Sequence, residues 1–205
     1  MRKKVNKKLI VALLSFVLLF GGTFGSSLAW LLDSTKDVQN TFTTSDINID
    51  LDESKDLNLK MIPGWTITKD PKVTVIGNSE ACWLFVEITE DLGAWANSYN
   101  AFTDYLNYTV DTGEEKWTQG DGTNIPSNVY YREVSASADD QSFDILKDNK
   151  VTVSGNVTKE MMNDIVTDAD KPTLSFKAYA VQLYKDNSTK FDATEAWANV
   201  PQPNP

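Results

Sequence analysis

The sequence predicts an all-β protein, an antiparallel β-sandwich with short inserted helices. About nine or ten short segments alternate apolar and polar side chains, and turn residues separate them roughly every 8 to 12 positions, which is typical of β-sandwiches. Helical periodicity is brief, and the repeated strand–helix alternation that predicts a parallel α/β fold does not occur. The chain has 205 residues, 41% of them hydrophobic, which is enough for one domain with its own core.

The first 29 residues have the organisation of a secretory signal peptide. The segment begins with five basic side chains, those of Arg2, Lys3, Lys4, Lys7 and Lys8. An uncharged apolar run over 9–20 follows, and Ser27 and Ala29 are the small residues of a cleavage site before Trp30. We therefore predict cleavage by signal peptidase after Ala29 and secretion to the cell surface or the extracellular matrix. A retained anchor is the alternative, because residues 9–32 carry no charge and a bilayer span takes about 20 residues.

Early strands are predicted after the leader. Residues 47–51 and 57–61 each alternate apolar and polar side chains, which indicates two half-buried strands. The strongest strand is predicted over 82–89, where every position except Glu87 and Thr89 is apolar, so we expect it at the centre of a sheet. Between 91 and 106 the apolar period becomes helical, which predicts one helix or two short ones with aromatic side chains facing the core.

The second half of the chain returns to strands. They are predicted over 106–110, 129–134, 143–146, 151–153 and 174–184. A short helix is predicted over 158–166, with three apolar side chains facing inward: Met161, Met162 and Ile165. Asp192 and Glu195 have the spacing of a capping box, which begins a turn of helix through Trp197. The tail 200–205 is too rich in proline to form a regular element.

Charge and composition exclude several functions. The five charges of the leader are all basic, so the exported chain has 14 Lys and Arg against 29 Asp and Glu, a net charge of −15. An acidic surface repels nucleic acid and anionic membranes, and we expect neither as a partner. The chain contains no histidine, which excludes Ser-His-Asp and Cys-His catalysis and histidine-dependent zinc sites. We therefore expect neither enzymatic activity nor a cofactor.

The single cysteine, Cys82, lies in the predicted central strand. A lone cysteine cannot form an intrachain disulfide, so the domain must be stable through packing alone. The apolar neighbours predict a buried and unreactive thiol.

One acidic loop offers weak candidates for calcium binding. Asp164, Asp168 and Asp170 provide hard oxygen ligands at short spacing. They do not match an EF-hand loop, which needs glycine at its sixth position and glutamate at its twelfth. A solvated acidic loop is the favoured interpretation.

Six segments, in a fixed order, carry a resemblance to a known family. They are 29–35 (Ala-Trp-Leu-Leu-Asp-Ser-Thr), 38–43 (Val-Gln-Asn-Thr-Phe-Thr), 47–51, 69–79 with its Lys-Asp-Pro, 129–134 with its Tyr-Tyr pair, and 178–182 (Ala-Tyr-Ala-Val-Gln). In this order they resemble the TasA and camelysin proteins of the biofilm matrix of Gram-positive bacteria, which carry a SipW-type signal peptide. The resemblance implies a jelly-roll version of the sandwich and assembly into fibres. Some camelysin relatives are classified as metallopeptidases, but a chain without histidine or an HExxH motif does not support that activity.

The peptide 30–42 leads to a hypothesis for assembly. It is short and amphiphilic and is freed only by cleavage, so it can add a strand to an exposed sheet edge of the next subunit. Such head-to-tail contacts do not close and produce fibres. The anchoring side chains would be Trp30, Leu31, Leu32, Val38 and Phe42. An equally open alternative is that the peptide packs on its own domain as a first strand, and other matrix proteins are further candidate partners.

A secreted adhesin or carbohydrate-binding sandwich that forms no fibres is the alternative function. Exposed aromatic side chains would then contact the sugar, and the candidates are Trp95, Trp117 and Trp197. Burial in the core is the competing and favoured expectation for each of these three side chains.

Overall fold

A computed structural model describes residues 46–54, 61–97, 101–165, 167 and 170–200. All of them belong to one unit, Val38–Pro205. The predicted signal peptide, the extension 30–42, the tail from 201 onward and most of the predicted strand 57–61 lie outside the described residues. Within the described ranges, no helix is long and apolar enough to cross a membrane.

The described residues form ten strands in three antiparallel sheets, which confirms the predicted all-β antiparallel sandwich with short inserted helices. The strands are β1 (Ile49–Asp52), β2 (Thr66–Thr68), β3 (Lys72–Val75), β4 (Cys82–Asp91), β5 (Leu106–Val110), β6 (Thr118–Gln119), β7 (Val129–Val134), β8 (Gln141–Asp144), β9 (Leu146–Val153) and β10 (Thr173–Gln182). Sheet I has the order β1-β3-β8, sheet II the order β10-β4-β7-β6, and sheet III the order β2-β9-β5.

The predicted central strand is confirmed, because β4 lies between β10 and β7 in sheet II. Its pairing with β10 is continuous over the full strand, from Cys82 opposite Gln182 to Asp91 opposite Thr173. At the other side of sheet II, β6 covers only Tyr130 and Tyr131 of β7. The two edges of this sheet are therefore very different in length.

Over 82–88 both faces of β4 are buried or half-buried, which explains why its sequence does not alternate strictly, whereas its last three residues are exposed. One face packs into the main core through Cys82, Leu84, Val86 and Ile88. On the other face Phe85 belongs to a second cluster, and its ring centroid lies 5.3 Å from that of Trp197. The predicted buried thiol is confirmed as well, since Cys82 is fully buried and burial raises its pKa to about 12.

The region from 91 to 106 contains two short 3-10 helices, Gly93–Asn97 and Phe102–Asp104. Of the two predicted alternatives, one helix or two short ones, the second is confirmed. Trp95 and Phe102 are both buried in the main core. The Trp95 Nε1–H donates a hydrogen bond of 2.8 Å to the carbonyl of Met161, which fixes the insertion to the helix that follows β9.

That helix, α1 (Lys159–Asn163), lies within the predicted range, and the Thr158 hydroxyl caps it by accepting from the backbone N–H of Met161. Met161 is buried, while Met162 and Ile165 are half-buried and pack against the core. The last helix, α2 (Ala193–Trp197), begins with the predicted capping box. The Asp192 carboxylate accepts from the Glu195 N–H at 2.8 Å, and the Glu195 carboxylate accepts from the Asp192 N–H at 3.0 Å.

Candidate functional site

The residues predicted to donate a strand lie outside the described part of the chain. They are the cleavage-site residue Ala29 and the anchors Trp30, Leu31, Leu32, Val38 and Phe42. Their roles stay predictions. The described residues instead present surfaces able to receive a strand or a ligand: one long sheet edge and two clefts.

The three tryptophans considered as sugar contacts are buried, so that assignment is wrong and the competing core interpretation is confirmed. Trp95 is 0% exposed, Trp117 is 1% exposed and Trp197 is 8% exposed. Each is held by neighbours inside the domain; the Trp117 Nε1–H, for example, donates to the carbonyl of Asp144 at 2.8 Å. A strongly exposed indole does occur at Trp65, which is 61% exposed in the turn before β2. Its exposure could not be inferred from residue type or spacing.

The calcium candidates do not form a ligand cluster within the described residues. No group of three or more Asp, Glu, Cys or His side chains is close enough to hold a metal ion there. Asp168 lies outside the described residues, and the Asp170 carboxylate accepts hydrogen bonds from the backbone N–H and the hydroxyl of Thr167.

The long sheet edge belongs to β10. Within the described residues this strand pairs with β4 on one side and with no strand on its second side. Immediately beyond the ladder, the Leu183 N–H donates to the carbonyl of Ala81 at 2.9 Å. Because hydrogen-bonded pairs alternate in antiparallel sheets, the odd-numbered residues bond to β4. The backbone groups facing the second side are therefore those of Leu174, Phe176, Ala178, Ala180 and Gln182.

This β10 edge has little of the protection that edge strands usually carry. Natural edges are typically short, bulged, or marked by proline and several charges. The ten residues of β10 stay in continuous register, include no proline and contain one charged side chain, Lys177. An edge of this kind is well suited to pairing with a further strand.

The first cleft, here called the inter-sheet cleft, opens between sheets II and III and has a volume of about 620 Å³. Glu90 of β4 and Tyr108 of β5 meet in it, with the Tyr108 hydroxyl donating to a Glu90 carboxylate oxygen at 2.6 Å. Burial and the neighbouring Glu90 carboxylate raise the pKa of Tyr108 above its ordinary value. Burial raises the pKa of Tyr130, which also lines the cleft.

The second cleft contains Arg132 and has a volume of about 700 Å³. The guanidinium carbon lies 3.8 Å from the centroid of the Phe143 ring and 5.8 Å from that of Trp117. Its Nη2 group donates to the carbonyl of Glu115 at 2.9 Å, while Nε has no partner among the described residues. Burial lowers the pKa of Arg132, the nearby Glu115 carboxylate opposes that effect, and the two rings add cation–π contacts.

Comparisons of the chain with protein-family models, with curated proteins and with solved structures give no match.

Proposed function

We propose that this chain is a secreted structural protein and that its subunits assemble into extracellular fibres of a biofilm matrix. The observation that carries the proposal is the long β10 edge, which is regular, almost uncharged and unpaired within the described residues. The second support is the order of sequence segments that resembles the TasA and camelysin proteins. The predicted signal peptide supports export of the chain.

In the proposed contact, residues 30–42 of one subunit form a strand beside β10 of the next. Thirteen extended residues reach about 43 Å, whereas the ten residues of β10 span about 33 Å, so the peptide is long enough to cover the whole edge. Six further residues, 43–48, connect the peptide to β1 in its own subunit. The main-chain groups of five alternate residues of β10 would then gain hydrogen-bond partners.

A contact of this kind uses two different surfaces of the same chain. Each added subunit satisfies one acceptor edge and brings a new one, so the assembly grows at its end and does not close. Cleavage after Ala29 would control the process, because the donor peptide has a free end only in the exported form. If the same peptide pairs with its own domain, the product is a monomer.

Negative-stain electron microscopy of residues 30–205 and 43–205, at equal concentration and with and without calcium, tests the donor. We expect fibres from the longer chain and none from the shorter one. Fibres from both would retain the structural function and exclude the peptide as donor. Monomers from both, under all conditions, would refute fibre formation.

Two proline substitutions test the acceptor. Ala180→Pro removes a backbone N–H that faces the second side of β10 and leaves the ladder to β4 intact. Ser142→Pro is the matched control, because the Ile145 N–H donates to the carbonyl of Pro71 and the N–H of Ser142 therefore faces away from β3. Loss of fibres in Ala180→Pro alone, with both variants folded by circular dichroism, is the expected result. Equal fibre formation by both variants would exclude the β10 edge.

A further inference from the structure

The inter-sheet cleft has a lining that the fibre function does not use. Among the described residues that line it, seven are of types that carry a hydroxyl, two carry an amide and one carries a carboxylate, while two are aliphatic. Its volume of about 620 Å³ lies within the range of small-molecule sites in proteins. The cleft is therefore of mixed polarity, nearly uncharged and large enough for a ligand of several rings.

This lining excludes other ligand classes. The described residues that line the cleft include no lysine or arginine, so a phosphate, sulfate or carboxylate group would find no counter-charge among them. Glu90 is the one carboxylate among these described lining residues, which is too few for a calcium site of six or more oxygen ligands. Among the described lining residues, Ile88 and Val110 are the two aliphatic ones, so little continuous aliphatic surface is available to an acyl chain.

Three of the polar side chains that line the cleft are oriented by hydrogen bonds within the domain. The amide of Asn128 donates to the carbonyl of Ile88 at 3.1 Å, and the amide of Gln119 donates to the carbonyl of Ser127 at 2.8 Å. Within the described residues, these bonds leave the two amide oxygens as acceptors. The bond from Tyr108 likewise orients Glu90 and leaves its second carboxylate oxygen as an acceptor. Groups ordered in advance lose little side-chain entropy when a ligand binds.

We propose that the inter-sheet cleft binds a neutral saccharide. A sugar ring combines apolar C–H faces with a rim of hydroxyl groups, and the cleft offers the matching pair of surfaces. The rings of Tyr108 and Tyr130 present aromatic area, while Glu90 and the amide oxygens accept hydrogen bonds from hydroxyl groups. Threonine and serine residues also line the cleft, and a hydroxyl group can act both as donor and as acceptor. A fibre subunit with this site would link the protein to polysaccharide in its surroundings.

Isothermal titration calorimetry with four neutral hexasaccharides tests the site. The probes are maltohexaose, cellohexaose, laminarihexaose and chitohexaose, each titrated into the purified protein. Binding of at least one is the expected result. Glu90→Gln removes the charge of the strongest acceptor and should weaken that binding about tenfold. Tyr130→Leu keeps apolar bulk, removes the aromatic face and should weaken it as well.

Glu80→Gln is the matched control, because it makes the same chemical change on an exposed residue roughly 30 Å away, before the opposite end of β4. It should bind like the parent. Hydrogen exchange with the bound probe should show protection over 88–90, 108–112 and 127–130. Absence of binding by all four probes would overturn the proposal. So would unchanged affinity in Glu90→Gln, or protection confined to other segments. Neither result depends on whether fibres form.

Discussion

Replacing Trp95 and Trp65 by phenylalanine, one at a time, compares the same chemical change at a buried and at an exposed position. Trp95 is fully buried and donates a 2.8 Å hydrogen bond to the carbonyl of Met161, whereas Trp65 is 61% exposed. Loss of the hydrogen bond costs about 1 kcal/mol. The smaller ring in a packed site adds about 1–2 kcal/mol. We therefore expect Trp95→Phe to lower the free energy of unfolding by about 2–3 kcal/mol.

Trp65→Phe should change the free energy of unfolding by less than about 0.5 kcal/mol, as is usual for exposed positions. Urea denaturation followed by far-ultraviolet circular dichroism measures both variants without relying on the fluorescence of the replaced side chain. The slope of the free energy of unfolding against urea concentration should be the same for the parent and both variants, so that differences between the unfolding midpoints report differences in stability. Equal losses in the two variants, or a negligible loss in Trp95→Phe, would refute the assignment of Trp95 to the core.

Three further predictions concern stability. Asp192→Ala removes the cap of α2 and should lower the free energy of unfolding by about 1 kcal/mol. Asp192→Asn should retain most of that stabilisation, and thermal unfolding measures both variants. Arg132→Met keeps the apolar contact with Phe143 and removes a partly unpaired cation. The free energy of unfolding measured in urea should therefore change by less than about 1 kcal/mol, and a loss above about 3 kcal/mol would contradict this. The folded-state pKa of Cys82 is raised from its ordinary value of 9.0 to about 12. The contribution of the protonated thiol to the free energy of unfolding is therefore complete below pH 9 and is lost as the pH rises towards 12. Relative to Cys82→Ala, the native chain should lose about 1.4 kcal/mol of stability per pH unit in that interval, and parallel pH profiles of the two proteins would disprove it.

Local sequence patterns were sufficient to predict the elements that depend on residues close together in the sequence. The capping box of α2 is confirmed because both of its hydrogen bonds join residues three positions apart. The central position of β4 could be predicted because a strand buried on both faces needs apolar residues on both. The region from 91 to 106 was less determined, since helical spacing does not distinguish one α-helix from two short 3-10 helices.

The inter-sheet cleft could not be predicted, because it depends on which strands face one another. Glu90 and Tyr108 belong to different sheets, and nothing in their separation along the chain indicates a hydrogen bond between them. The burial of Trp117 has the same origin, since its partner carbonyl belongs to Asp144, the last residue of β8. Residue type made Trp117 a candidate for sugar binding, but only the packing of the sheets shows that its indole is buried.

The two edges of sheet II differ in a way that bears on the direction of assembly. On the β7 side, the two-residue strand β6 covers part of the edge. Arg132, the next residue of β7 after the two that β6 covers, packs its guanidinium inward against the ring of Phe143. A short edge strand and an inward-facing charge are both features that oppose pairing with another chain. On the β10 side, neither feature is present among the described residues, and Lys177 is the one charged side chain of the strand. A sheet that resists addition at one edge and permits it at the other favours a single direction of growth, as the proposed head-to-tail contact requires.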